Sequence, residues 1–259
     1  MFFKRRVKEI LWSLWKSTKS IKFFENKALE FTSEVPWPPI VLAYHHFSDS
    51  PASDEYCVST KAFESQIEYL IKNGYTFLWQ NEYNKFNKKT VIISIDDGWM
   101  DNYSLMFPII QKYRIKVTIN LTVQKTLVDK PTESYFSLKE ISTMLNSGLV
   151  SFESHSMSHP HLTQCTDKEL EYELSESQRL MKEKLNIDSR VFVCPFEDSN
   201  VRVIEAIKKY YDMGYNFVEN ADPLYSIRRV YMHENTSKKD IAISSYYHFK
   251  KHFTNKHNG

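Results

Sequence analysis

The stretch Val91-Ile92-Ile93-Ser94-Ile95-Asp96-Asp97-Gly98 carries the reading of the fold. Val91 to Ile95 is a β-branched run of strand type, and it leads straight into two adjacent carboxylates and a glycine. Two carboxylates after a buried strand are costly unless something neutralises them. A turn capped by aspartates has the same letters, so the stretch alone leaves both readings open. On either side of it, strand-like runs at 40–44, 117–123, 149–152, 191–193 and 215–218 alternate with helix-like runs. The helical runs cover 60–73, 103–113 (interrupted near Pro108), 137–146, 167–185 and 201–210. This alternation predicts an α/β fold with a parallel sheet, and the number of units predicts a deformed (β/α) barrel of about seven strands. In such folds the chemistry gathers at the C-terminal ends of the strands.

Four of those ends are polar. Besides Asp96-Asp97, the run 149–152 leads into Glu153-Ser154-His155-Ser156-Met157-Ser158-His159-Pro160-His161. Two histidines four residues apart on a loop can converge on one metal, and imidazole with carboxylate suits zinc or a similar divalent ion. They can also be surface decoration. The run 191–193 is preceded by Arg190 and followed by Cys194-Pro195-Phe196, and the run 40–44 ends in His45-His46. Clusters on the ends of four different strands can meet at one rim.

Composition narrows the classes. Thirty-four Lys and Arg against 32 Asp and Glu give a net charge of +2, too small a basic excess for a dedicated nucleic-acid binder. None of the five glycines has Rossmann or P-loop spacing. The three cysteines form no CxxC, which argues against a disulfide framework or a zinc knuckle. No GxSxG elbow is present.

The family resemblance rests on three motifs. Ser94-Ile95-Asp96-Asp97-Gly98-Trp99 resembles the first motif of the polysaccharide deacetylases, carbohydrate esterase family 4. His155-Ser156-Met157-Ser158-His159-Pro160 is similar to their second, and Arg190-Val191-Phe192-Val193-Cys194-Pro195-Phe196 to their third. The likeness spans roughly residues 40–235. Ala43-Tyr44-His45 and Asn73-Gly74-Tyr75 resemble the biofilm poly-N-acetylglucosamine deacetylases, a branch whose acid histidine precedes the first motif. Two departures stand out: Ile95 replaces the usual Phe, and Glu197 stands where Gly commonly follows the third motif's aromatic.

The resemblance implies one divalent ion, zinc with cobalt, nickel or manganese as alternatives, held by Asp97, His155 and His159. It implies Asp96 as general base, Arg190 as the residue orienting Asp96, and His45 as the acid, preferred to His233. Phe196 would supply an oxyanion N–H, Ser156 would shape the metal loop, and Trp99 and Phe196 would meet sugar rings. Core packing is the expected role of Tyr103. The implied activity is removal of acetyl groups from N-acetylhexosamine residues of a bacterial cell-surface glycan or its lipid-linked precursor. Exported poly-N-acetylglucosamine or peptidoglycan is the alternative substrate, and a non-catalytic glycan-binding homologue is the rival class.

The expected organisation is a basic amphipathic helix over 1–35, the deacetylase domain over 36–245 and a basic aromatic tail over 246–259. Residues 1–25 hold seven Lys or Arg against two Glu, a net of +5. Val7, Ile10, Leu11, Leu14, Trp15 and Ile21 recur at helical spacing, with lysines on the other side. Such a helix suits an anionic membrane interface, or packs its apolar stripe on the domain. No secretory signal is recognisable. The expected place is therefore the cytoplasmic face of a bacterial inner membrane, bound peripherally.

Overall fold

The computed structural model describes residues 39–241 apart from 52–53, 85–88, 128–131, 133, 217, 219–220 and 238–239. The helix expected over 1–35 and the tail over 246–259 lie outside the described residues. Among those described, no helix is long and apolar enough to cross a membrane.

The centre of the fold is β5 (Thr90–Asp97), eight residues long and buried throughout. Its upper half pairs with β6 (Val117–Leu121), its lower half with β4 (Thr76–Leu78), and its other edge with β1 (Ile40–Tyr44). The sheet continues through β7 (Val150–Ser154) and β8 (Val191–Val193) to β9 (Met213–Tyr215), and ends beyond β1 at β10 (Val230–Tyr231). Every pairing in it is parallel. The result is a curled part-barrel with seven strands along its path and β4 attached at β5, as the alternation predicts. A small second sheet pairs β2 (His46–Ser48) with β3 (Cys57–Ser59).

Side chains alternate across the pleat. Val91, Ile93 and Ile95 face outward, packing with Phe63, Ile67 and Ile110 of the surrounding helices. Ile92 faces the lumen with Val41, Val191, Val193 and Tyr215. Ser94 and Asp96 continue the lumenal face toward the C-terminal rim, where apolar filling gives way to polar groups.

The helices begin where the sequence offers caps. α1 (Thr60–Lys72) is capped by Ser59, whose hydroxyl accepts from the Ala62 amide. α2 (Phe107–Tyr113) follows a π-turn at Asn102–Met106, and Pro108, with no N–H to donate, sits in its first turn. The short α3 (Val123–Thr126) ends the strand expected to reach residue 123. α4 (Leu138–Asn146) and α5 (Asp167–Leu185) open with capping boxes, Ser137/Glu140 and Thr166/Glu169. α6 (Val201–Ile207) is three residues shorter than its apolar pattern. The last long strand lies at 213–215 instead of 215–218.

Candidate active site

Asp96 and Asp97 end β5 side by side but face different ways. Asp97 and Gly98 both have left-handed backbones, with φ of 75° and 87°. This break in the extended chain turns the Asp97 carboxylate onto the rim. Gly98 has no room for a side chain, because a Cβ would lie 2.8 Å from Thr126 Cγ2 and 3.1 Å from Phe136 Cζ. The DDG order thus has a steric cause.

Asp97, His155 and His159 present one ligand atom each within 4.8 Å of one another. Asp97 Oδ1 is 3.3 Å from His159 Nε2 and 3.8 Å from His155 Nε2. The His155 Nδ1–H donates to the Val193 carbonyl at 2.8 Å, which leaves Nε2 facing the group. Burial, with His155 adding to it, pushes the His159 imidazole down to about 4, so it is neutral at pH 7. Two imidazoles and a carboxylate are a fitting donor set for zinc or a similar divalent ion.

The loop between the histidines is pinned from beneath. Ser156 Oγ accepts from the His159 amide at 2.9 Å. The buried carboxylate of Glu173, on α5, accepts from the Met157 and Ser158 amides and from the Ser158 hydroxyl. Ser156 and His159 have φ of 67° and 69°, strain that these bonds hold in place.

Asp96 is fully buried. Its Oδ2 accepts from Arg229 Nη1 at 2.6 Å and its Oδ1 from Asn120 Nδ2 at 2.8 Å. Burial alone would raise its carboxyl. The Arg229 guanidinium, with His155 and His45, outweighs that and holds it well below the usual carboxylate range. His45 Nε2 lies 3.5 Å from Asp96 Oδ2, its ring stacked beside Tyr231 at 5.9 Å. Burial lowers the His45 imidazole more than the Asp96 carboxylate raises it.

Two expected residues are elsewhere. Arg190 does not reach Asp96. It precedes the first residue of β8 and so sits at the N-terminal end of a parallel sheet whose C-terminal end carries Asp96, and it pairs at 2.5 Å with exposed Asp212. Arg229, just before β10, takes the place expected of it. Trp99 does not line the cleft. Its ring packs against His46 and Tyr135, with centroids 4.3 and 4.2 Å away, and its indole N–H donates to Asp97 Oδ2 at 3.0 Å. It orients the Asp97 carboxylate.

Asp96, Asp97, His45, His155, His159 and Phe196 all open onto one cleft of about 560 Å³. Phe196 is 58% exposed, lying edge-on to His159 and stacked on His161. His46 and His233 also line this cleft, but their rings are tied to Asp101 and to the Glu55 carbonyl. Tyr103 stacks on Phe107 in the outer layer. Asn120, Glu173 and Arg229 were absent from the sequence-based site.

A curled parallel barrel with two rim carboxylates and a His-x-x-x-His loop defines a class of hydrolytic enzyme. Residues 83–218 match the family described as polysaccharide deacetylase, and the chain belongs to that family. It is 27% identical over 210 residues to YxkH of Bacillus subtilis (strain 168), named for the same family, covering 76% of this chain and 72% of that one. It is 25% identical over 265 residues to the poly-β-1,6-N-acetyl-D-glucosamine N-deacetylase of Escherichia coli (strain K12). There the match takes in 81% of this chain but 39% of the relative. The crystal structure of a polysaccharide deacetylase from Bacillus cereus superposes with a TM-score of 0.72 at 26% identity, over 81% of this chain and 69% of that one.

Proposed function

We propose that this chain is a metal-dependent N-deacetylase that removes acetyl groups from N-acetylhexosamine residues of a bacterial cell-surface glycan or its lipid-linked precursor. One observation carries the reading: a buried, ionised Asp96 stands beside a convergent Asp97-His155-His159 group in a single cleft. Those three residues would hold a divalent ion, which when bound polarises the acetyl carbonyl and makes water a nucleophile near neutral pH. Asp96 takes the proton of the attacking water as the new C–O bond forms. Arg229 and Asn120 hold its two oxygens during that transfer. The Phe196 amide donates to the developing oxyanion, a contribution of ~3 kcal/mol for one such donor. His45 delivers a proton to the amine nitrogen as the C–N bond breaks. The proton that Asp96 takes up balances the one His45 gives away, the two groups lying 3.5 Å apart. The products are acetate and a free amino sugar.

A poly-β-1,6-N-acetylglucosamine substrate is favoured by the name of the Escherichia coli relative, and is the second reading. The test is acetate release from N-acetylglucosamine oligomers, lipid-linked glycans and peptidoglycan fragments, with metal added. The basic charge of residues 1–25 supports a peripheral place on an anionic membrane, since each basic residue near such a leaflet adds ~1 kcal/mol. Pelleting with membranes should then be lost on deleting residues 1–25 and weakened by high salt.

A further inference from the structure

We propose that Glu197 is a positioning residue, a second carboxylate that holds the far side of Arg229 and keeps its Nη1 edge on Asp96. The inference rests on the deacetylase reading for its consequence in catalysis, but its geometry stands on the fold alone.

Glu197 follows the third motif's aromatic, where Gly is the common residue. Its φ is +51°, and that of Phe196 is +58°. The backbone has therefore kept the left-handed path that glycine takes freely, although a non-glycine residue there costs about 1 kcal/mol. Strain retained beside a reacting centre needs a compensating contact. The side chain provides one. Glu197 Oε1 and Arg229 Nε are both buried with no hydrogen-bond partner, and they lie 3.8 Å apart as an ion pair.

Buried, unpaired charged atoms are expensive, and here each is the counter-charge of the other. Of the other guanidinium donors, Nη1 bonds Asp96 and Ser94 and Nη2 the Tyr231 hydroxyl at 3.4 Å. Arg229 is thus gripped by Asp96 on one edge and Glu197 on the other. The second grip stops the guanidinium from swinging about its long stem. Glu197 sits directly after Phe196, whose amide is proposed to meet the oxyanion. The contact therefore joins the oxyanion loop to the holder of the base.

The test compares wild type with Glu197→Gly and Glu197→Gln. In ¹⁵N NMR at pH 7, wild type should show one arginine Nε–H signal protected from exchange that both variants lose, with the other arginine signals unchanged. Glu197→Gly relieves the backbone strain but leaves one edge of Arg229 unpaired, so it should melt within a few degrees of wild type and bind as much metal. Its kcat should nonetheless fall about tenfold with KM within twofold, because the base is less well held. Persistence of the protected signal in Glu197→Gly would overturn the inference, as would a full wild-type kcat in that variant. A fall in kcat that comes with lost metal would also overturn it, by making Glu197 merely structural. Inactive wild type that still shows the Glu197-dependent signal would sink the deacetylase reading and leave the tether standing.

Discussion

Asp96 and Asp97 are neighbours in sequence, and the surrounding groups set them apart. Asp97 receives the Trp99 indole N–H and faces two imidazoles, whereas Asp96 receives only donors from Arg229 and Asn120. His155→Ala or Asp97→Ala should lose the bound ion, since one of three ligands carries a large share of the affinity and the geometry. Metal analysis of the purified variants checks this, and full occupancy would reject the assignment. Arg229→Gln should lower kcat by ~10²-fold and also lower the melting temperature, because removing one partner of a buried pair costs about 3–5 kcal/mol. Arg190→Ala should change neither, as its pair with Asp212 is exposed. His45→Ala should lose ~10²-fold in kcat while His233→Ala is mild; the reverse order would move the acid to His233. The convergence of Asp97, His155 and His159 was legible in the sequence because each stands on or just after a strand end inside a short motif. Arg229 was not. It is 133 positions from Asp96, and only the parallel pairing of β10 with β1 and of β1 with β5 brings the two together.

The elements explain why motif residues arrive in register. β7 and β8 share a single paired position, Ser154 with Phe192, so another bond must hold β8 in place. Glu153 supplies it: its Oε2 accepts from Ser189 Oγ and from the Arg190 and Val191 amides. Burial pushes this carboxyl up to about 7, against the pull of those hydrogen bonds. The folded state therefore binds a proton that the unfolded chain releases near 4.5. The stability this contributes is complete below about pH 4.5 and is lost as pH rises to about 7. Wild type should accordingly lose melting temperature between pH 5 and 7, and Glu153→Gln, which does not ionise, should lose less. Equal slopes would contradict the account. Gly98→Ala should cost roughly 1–3 kcal/mol and reduce metal binding, because both the positive φ and the contact with Thr126 oppose a Cβ. The long elements were readable from period and caps: α5 runs over the predicted 167–185. The strands β2, β3, β4 and β10, two or three residues each, were not, because so short a run has no measurable alternation.

Across the whole molecule, the sheet works as a sorting device. Its outward face is mainly hydrocarbon, its lumen mixes apolar side chains with hydrogen-bonded Gln80, Ser94 and Thr118, and its C-terminal rim gathers acids, imidazoles and the buried Arg229 into a single cleft. Sequence patterning was sufficient for the barrel because strand and helix alternate with clear punctuation. It was insufficient for the ring of supporting contacts, which cross the lumen between residues far apart in the chain. The central claim is that Asp96 acts as a base beside a bound ion, and acetate release with metal content measured on the same samples tests it most directly. Metal-loaded wild type should release acetate and free amine in equal amounts from an N-acetylglucosamine oligomer. Asp96→Asn should keep its metal and lose ~10²-fold or more of the rate. Undiminished release by Asp96→Asn, or none from any N-acetylated glycan by metal-replete wild type, would contradict the account.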